Sequence, residues 1–247
     1  MEETHSDIQF YKDSLRKAEN DIRIDQETGK ALKDIVGNAF EMHRKRIWEY
    51  FGFDIVKDKS CKKNTITQLK SLCKKFKIKG YSNKTRDELI QILSEYNPSS
   101  LPVPEYMDLI RFNADLIITC KGKLIAIEEC KGHYLDSCFL ERALTGFCKT
   151  TLAFQKKDKP IPKFILHSFT KYNIINQKME EDLETRKPKI ADEIRQNLKY
   201  TTLMDCDRLK KDKWFSKDLY DCYSINANDE LILKDIEFIR SLIPVSE

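Results

Sequence analysis

Residues 113–131, NADLIITCKGKLIAIEECK, contain two apolar, β-branched runs on either side of a Lys-Gly-Lys turn. This pattern predicts an antiparallel β-hairpin. With Gly122 at the centre of the turn, Asp115 on the first strand lies directly opposite Glu129 on the second. The register depends on the turn type, because a shift of one residue would offset the two carboxylates.

The face of the hairpin that carries these two acids has an unusual charge pattern for a half-buried sheet. Lys131 shares the face with Glu129, since side chains alternate along a strand, and Glu128 points the other way. Opposed carboxylates repel each other, and a divalent cation would convert the repulsion into attraction. With the main-chain carbonyl of Cys130, the acids would offer the hard oxygen ligands that Mg²⁺ prefers. Lys131 would then orient or help to deprotonate a water, as phosphodiester hydrolysis requires.

The same residues also have a structural interpretation. Asp115 can be the acid that starts a strand, and Glu129 and Lys131 can form an ion pair at the end of the next strand. Spacing alone leaves the metal site and this structural interpretation both open.

Outward from the hairpin, apolar spacing predicts helices on both sides and further strands after it. The predicted elements, in chain order, are helices over 5–24 and 29–51, a strand at 53–56, the hairpin, a helix over 136–153, a strand over 163–169, helical segments over 174–199 with a break near Pro188, a strand over 201–204 and a helix over 229–243. This order predicts an α/β fold with a mixed sheet flanked by helices.

A lysine-rich block separates the first long helix from the hairpin. Residues 57–93 hold eleven Lys or Arg and three acids, although the whole chain is only +4. Two apolar stripes in this block, the second after the capping pattern Thr85-Arg86-Asp87-Glu88, predict two short helices. A Pro/Ser linker at 97–104 closes the module. The predicted division is a first part of the main domain at 1–56, an inserted helical module at 57–97 and a second part of the main domain, which carries the hairpin, at 98–247.

Composition excludes several classes of protein. The 247 residues are 40% hydrophobic and 34% charged, which fits a globular chain rather than a fibrous or low-complexity one. No apolar run reaches the ~20 residues of a membrane span, and the polar N-terminus shows no secretory signal. We therefore expect an intracellular, cytoplasmic protein with no membrane partner. The eight cysteines never occur as CxxC, which predicts reduced thiols and gives no support to a zinc site.

A further signal comes from the motif formed by Asn113-Ala114-Asp115 and Glu129-Cys130-Lys131. This motif resembles the signature of the PD-(D/E)XK nuclease superfamily, which has the restriction-endonuclease-like fold, with alanine where the superfamily often has proline. The resemblance implies that Asp115 and Glu129 hold Mg²⁺, for which Mn²⁺ substitutes, and that Lys131 serves the attacking water. It also implies a glutamate directed at the metal from the first long helix. The pattern Gly37-Asn38-Ala39-Phe40-Glu41 makes Glu41 the candidate, and a solvated helix glutamate is the alternative.

Two apolar stripes around a central glycine characterise the segment 65–93. The segment resembles the SAP motif, a helix-extension-helix DNA-binding module, through Leu69, Leu72, Gly80, Lys84, Leu89, Ile90 and Leu93. A module of ~35 residues buries little core, so its basic residues are expected to contact phosphates of double-stranded DNA. The predicted contacts are Lys70, Lys74, Lys75, Lys77, Lys79, Lys84 and Arg86. A generic helical hairpin packed on the main domain is the alternative.

Together these features predict a Mg²⁺-dependent endonuclease that hydrolyses phosphodiester bonds in double-stranded DNA. The compact size and the absence of a P-loop motif favour a type II-like restriction enzyme. The alternatives are a repair, recombination or mobile-element nuclease, and a catalytically inactive DNA-binding protein. A palindromic target would imply a homodimer.

On the helix after the hairpin, Glu141 and Arg142 are either surface charges or residues that support the site or contact DNA.

Overall fold

The acidic hairpin lies in a five-stranded sheet in the computed structural model of the chain. The described residues are 2–26, 32–56, 66–75, 77–85, 88–89, 92–93, 105–134, 137–170, 180–181, 183–185, 190–204 and 223–244. In chain order the elements are α1 (Glu2–Gln26), α2 (Leu32–Tyr50), β1 (Asp54–Val56), α3 (Ile66–Lys75), a 3-10 turn (Glu105–Asp108), β2 (Leu116–Cys120), β3 (Lys123–Tyr134), α4 (Ser137–Gln155), β4 (Lys163–Thr170), α5 (Ala191–Asn197), β5 (Leu198–Met204), α6 (Tyr223–Asn226) and α7 (Asp229–Ser241). None of the helices in these ranges is long and apolar enough to span a membrane.

The sheet combines an antiparallel half and a parallel half. Its strands lie in the order β1-β2-β3-β4-β5. β2 pairs antiparallel with β1 and β3, whereas β3, β4 and β5 are parallel. Parallel neighbours need crossover connections, and α4 and α5 lie in the two crossovers. The predicted α/β class, a mixed sheet flanked by helices, is confirmed.

The hairpin reaches its predicted register by an unexpected route. Its turn has only two residues, Lys121 and Gly122, both with positive φ (48° and 76°), as a twisted two-residue turn requires. By itself this turn would shift the predicted pairing by one residue. A β-bulge further along the hairpin restores it, so that Leu116 pairs with Glu128. The predicted register therefore holds at the acidic end of the hairpin.

Two apolar cores cover the two faces of the sheet. On one face α1, α2 and α7 pack around Phe40 and Trp48, both fully buried. On the other face α4 and α5 pack around Phe147. Side chains of β3 alternate between these cores, with Cys130 in the first and Ile127 in the second. The alternation separates the two neighbouring acids of this strand onto opposite faces.

The first core contains a fully buried charge cluster centred on Arg44 of α2. Nε of Arg44 lies 2.6 Å from Oε1 of Glu128, and Nη1 lies 2.5 Å from Oδ2 of Asp235 on α7. Nη1 also donates a hydrogen bond to the hydroxyl of Tyr11 on α1 at 2.7 Å. Trp48 donates its indole N–H to Glu128. Four elements, α1, α2, β3 and α7, therefore meet at one guanidinium group.

One predicted boundary is wrong. The sequence predicts helical structure up to residue 199, but β5 begins at Leu198 and pairs in parallel with β4, with Phe164 opposite Leu198. Pairing with a buried strand outweighs the local helical pattern. The parts of this prediction that fall on 174–179, 182 and 186–189, including the break near Pro188, lie outside the described residues.

The described part of the lysine-rich block has a small apolar core of its own. This core consists of Leu69, Cys73, Ile78, Leu89 and Leu93. The predicted capping box is confirmed, because the amide of Thr85 donates to Oε2 of Glu88 at 2.8 Å and the amide of Glu88 donates to Oγ1 of Thr85 at 3.4 Å. The linker at 97–104 lies outside the described residues, so the module boundaries stay predictions.

Candidate functional site

Asp115 stands immediately before β2, at the open end of the hairpin. Its Oδ2 accepts a hydrogen bond from the main-chain N–H of Cys130 at 2.7 Å. This bond holds the carboxylate against β3, one residue from Glu129. The N–H and C=O of a strand residue point toward the same neighbouring strand, so the carbonyl of Cys130 also faces the side of Asp115.

A pocket of about 380 Å³ opens at this end of the hairpin. It is lined by Phe112, Asn113, Asp115, Glu129, Phe139, Arg142 and Ala143. The hairpin and the segment before it form one wall, and α4 forms the other. The structure therefore brings the two acids predicted from spacing into one cavity.

Lys131 is half-buried near the end of β3 and is held beside this cavity by an aromatic contact. Its Nζ lies 4.8 Å from the ring centroid of Phe139 on α4. The same ring lines the pocket. A cation over an aromatic face is stabilised by about 0.5–2 kcal/mol, depending on its desolvation. Phe139 therefore restricts the ammonium of Lys131 to the neighbourhood of the pocket wall.

Glu41 is a half-buried residue on α2, and its charge acts on the site. Repulsion from Glu41 contributes to the raised pKa of Asp115. A glycine explains how α2 comes so close to this end of β3. A Cβ at Gly132 would lie 2.7 Å from Cγ1 and 2.9 Å from the carbonyl oxygen of Val36, so the glycine lets α2 pack directly over the residue after Lys131. This position supports the metal-directed role of Glu41, which stays a prediction.

The environment of Asp115 disfavours its ionised form. Burial raises its pKa to about 6. The negative charges of Glu41 and Glu128 add to the rise, whereas the N–H of Cys130 and the ammonium of Lys131 oppose it. A cation in the pocket would relieve the cost of ionising this carboxyl group.

Asp115→Asn is expected to stabilise the metal-free protein at pH 8 by about 1–2 kcal/mol, after allowance for solvent access to the carboxylate. The folded-state pKa of about 6 lies above the ordinary value of 3.8. The stability that Asp115 contributes is therefore fully present below the ordinary pKa and is lost as the pH rises through about 6. Urea denaturation in EDTA at pH 8 and near pH 4 measures the difference. Lower stability of the variant than of wild type at pH 8 would contradict the raised pKa.

The donor atoms of the pocket can be compared with the needs of a metal ion. Within the described part of the chain, no group of three or more His, Cys, Asp or Glu side chains is arranged to hold one. Mg²⁺ does not need such a cage, since it is usually bound by one or two carboxylates and keeps several waters. Asp115, Glu129 and the carbonyl of Cys130 offer hard oxygen donors, and the thiol of Cys130 lies in the opposite core. This donor set fits Mg²⁺ or Mn²⁺ and not a structural zinc ion.

Other residues that the sequence singles out lie away from the pocket. Glu128 is fully buried on the opposite face, bound to Arg44. His43 and His167 are also fully buried, and burial lowers the pKa of both imidazoles, so they are neutral core residues. The side chain of His133 lies outside the described residues.

Among the pocket residues, the sequence gives no role to Phe112, Phe139 and Ala143, and for Arg142 it leaves a surface charge and a role at the site both open. Phe139, Arg142 and Ala143 have the i, i+3, i+4 spacing that places side chains on one helix face. This spacing is visible in the sequence. The sequence does not say, however, which face of α4 is turned toward the acids.

The predicted DNA-binding residues differ in exposure. Lys74, Lys77, Lys79 and Lys84 are exposed to solvent. The side chains of Lys75 and Arg86 lie outside the described residues. Lys74, Lys77 and Lys79 are the members of the predicted set best placed to reach a phosphate, because Lys84 has an ion-pair partner.

Two other members of the set have partners inside the module. Lys70 is half-buried and donates to the main-chain carbonyl of Ser82. Lys84 forms an ion pair with Glu88 at 2.9 Å, and its hydrogen bond is the main reason why the pKa of Glu88 falls to about 2. These contacts make the ammonium groups of the two lysines less available for the predicted phosphate contacts.

No family model, curated protein or solved structure matches the chain.

Proposed function

We propose that the protein is a Mg²⁺-dependent DNA endonuclease with a restriction-endonuclease-like fold of the PD-(D/E)XK type. The observation that carries the proposal is the pocket shared by Asp115 and Glu129, with Lys131 two residues further along β3. The order of helix, acidic hairpin, helix and strand agrees with that of the superfamily that the motif resembles. A type II-like restriction enzyme is one form of this proposal.

Each residue has a distinct task in this proposal. Asp115, Glu129 and the carbonyl of Cys130 hold the ion, and the amide of Cys130 keeps Asp115 in place. Mg²⁺, when bound, polarises the scissile phosphate and lowers the pKa of water at the site. Lys131, held over Phe139, orients the attacking water and offsets negative charge that develops on the phosphate.

A catalytically inactive DNA-binding protein is the second candidate function. It is favoured by the small number of acids at the pocket, since the described residues include no cluster of three metal-binding side chains there. The raised pKa of Asp115 argues against this candidate. Ionising Asp115 beside other acids costs free energy, and a residue with a purely structural role would gain nothing from that cost. A repair, recombination or mobile-element nuclease would use the same pocket as a restriction enzyme.

Supercoiled plasmid DNA tests the proposal directly. The protein is expected to nick or linearise the plasmid with Mg²⁺ or Mn²⁺, and to bind it with little cleavage in Ca²⁺. EDTA should abolish cleavage. Binding without cleavage in every divalent metal would favour the inactive DNA-binding protein, and full activity in EDTA would exclude the metal site.

The exposed lysines of the module should act on binding. Replacing Lys74, Lys77 and Lys79 with Gln is expected to flatten the slope of log affinity against log salt by about 2–3, because each phosphate contact contributes about 0.9. Affinity for different DNA sequences should fall in parallel, since phosphate contacts carry no base information. Cleavage at saturating enzyme and low salt should remain, because the pocket lies outside the module.

A matched triple variant controls for total charge. Lys123, Lys156 and Lys157 are exposed and lie outside the module, so their replacement with Gln should leave most of the salt slope intact. Fluorescence anisotropy of a labelled duplex across a salt titration compares the two variants. Equal slopes for the module variant and wild type would remove the proposed DNA-binding role of 57–97.

A further inference from the structure

The α4 wall of the pocket carries one described cation, Arg142. It shares a helix face with Phe139 and Ala143. Ala143 is buried, whereas Arg142 is exposed to solvent. Arg142 therefore lines the pocket as a solvent-exposed residue of the wall that α4 forms.

A polyanion that binds at this pocket would need a cation to offset the negative charge of the acids. Asp115 and Glu129 repel a polyanion as well as each other. Lys131 supplies one positive charge, but its ammonium is held over the ring of Phe139. None of the ion pairs found among the described residues includes Arg142. Arg142 is thus positioned beside two acids without being used to neutralise them.

We infer that Arg142 binds a phosphate of the nucleic-acid backbone next to the bond that is cleaved, an inference that rests on the proposed function. A guanidinium group presents a planar fork of N–H donors that matches two phosphate oxygens. From the α4 wall it anchors the backbone across the mouth of the pocket. The scissile phosphate then lies over Asp115 and Glu129, on the side from which Lys131 approaches.

Three variants test this role. Arg142→Gln removes the charge, Arg142→Lys keeps the charge and removes the fork, and Lys149→Gln is the matched control. Lys149 is an exposed residue of the same helix that does not line the pocket. All three changes are on the surface, so thermal melting should show folded proteins of nearly unchanged stability.

Binding and cleavage are then measured separately. In Ca²⁺, Arg142→Gln is expected to weaken binding of a short duplex about tenfold or more at low salt and to reduce the salt slope by about 1. In Mg²⁺ under single-turnover conditions, the cleavage rate should fall as well. Arg142→Lys should restore the salt slope but only part of the cleavage rate, because a single ammonium does not fix the phosphate as a fork does. Lys149→Gln should match wild type in both measurements.

The outcomes separate this inference from the proposed function. If wild type cleaves DNA and Arg142→Gln binds and cleaves equally well, the Arg142 contact is excluded and the nuclease proposal stands. If wild type cleaves nothing in any divalent metal but Arg142→Gln still loses affinity, the phosphate contact is supported and the nuclease proposal fails. Equal losses for Arg142→Gln and Lys149→Gln would indicate diffuse charge attraction and overturn the inference.

Discussion

Glu129→Gln is expected to abolish metal-dependent cleavage of plasmid DNA, with a fall in rate of about 10³-fold or more. The substitution keeps the shape of the side chain and removes its charge from the pocket that it shares with Asp115. Lys131→Ala is expected to have an effect of similar size, since it removes the ammonium held over Phe139. Initial rates of supercoiled-plasmid nicking in Mg²⁺ measure both effects.

Two controls lie on the same strand. Glu128→Gln changes the neighbouring acid, which is fully buried on the opposite face, and Lys123→Ala removes an exposed lysine at the start of β3. Both variants should cleave at close to the wild-type rate wherever they are folded. Near-wild-type cleavage by Glu129→Gln would remove the role assigned to the carboxylate of Glu129.

Glu41→Gln should give an intermediate loss of about ten- to hundredfold, as expected for a group that supports metal ligands.

Arg44→Ala is expected to lower the free energy of unfolding by about 3–5 kcal/mol. The side chain is fully buried, and its removal leaves the carboxylates of Glu128 and Asp235 in the first core without their cation. Domains are stable by only about 5–15 kcal/mol, so a loss of this size would leave much of the protein unfolded on mild heating. Urea denaturation followed by tryptophan fluorescence measures the change, since one of the two tryptophans, Trp48, is hydrogen-bonded to Glu128.

A milder substitution keeps this prediction testable if Arg44→Ala does not accumulate as folded protein. Glu128→Gln retains an acceptor for Arg44 and Trp48 and removes one buried charge. Burial raises the pKa of Glu128, so the neutral glutamine should cost much less stability than the loss of Arg44. An Arg44→Ala protein within about 1 kcal/mol of wild type would show that the cluster contributes little.

The acidic end of the hairpin was predictable because several local signals coincide there. β-branched runs define the strands, a glycine marks the turn, and strand alternation puts Glu129 and Lys131 on one face. The exact turn was not predictable, since neither the two-residue turn nor the β-bulge leaves a clear mark in the sequence. Their effects on the register cancel, which is why an incorrect turn gave the correct pairing.

The buried cluster could not be predicted, because it joins residues that are distant in the chain. Tyr11 and Asp235 are 224 positions apart and bond to each other beside Arg44. Charged residues on amphipathic helices are usually solvated, so Arg44 and Asp235, each taken alone, look like surface residues. The same limit applies to Arg142, because the sequence does not determine which helix face turns toward the acids.

The buried cluster also determines when, during protein synthesis, β3 reaches its final surroundings. Arg44 and Asp235 are 191 residues apart, so at about 5–20 residues per second the ribosome needs roughly 10–40 s to go from one to the other. During that interval α2 and β3 lack the helix that closes the core beneath them. If the pocket of Asp115 and Glu129 is the proposed nuclease site, the nascent chain is therefore expected to stay inactive until α7 has left the ribosome.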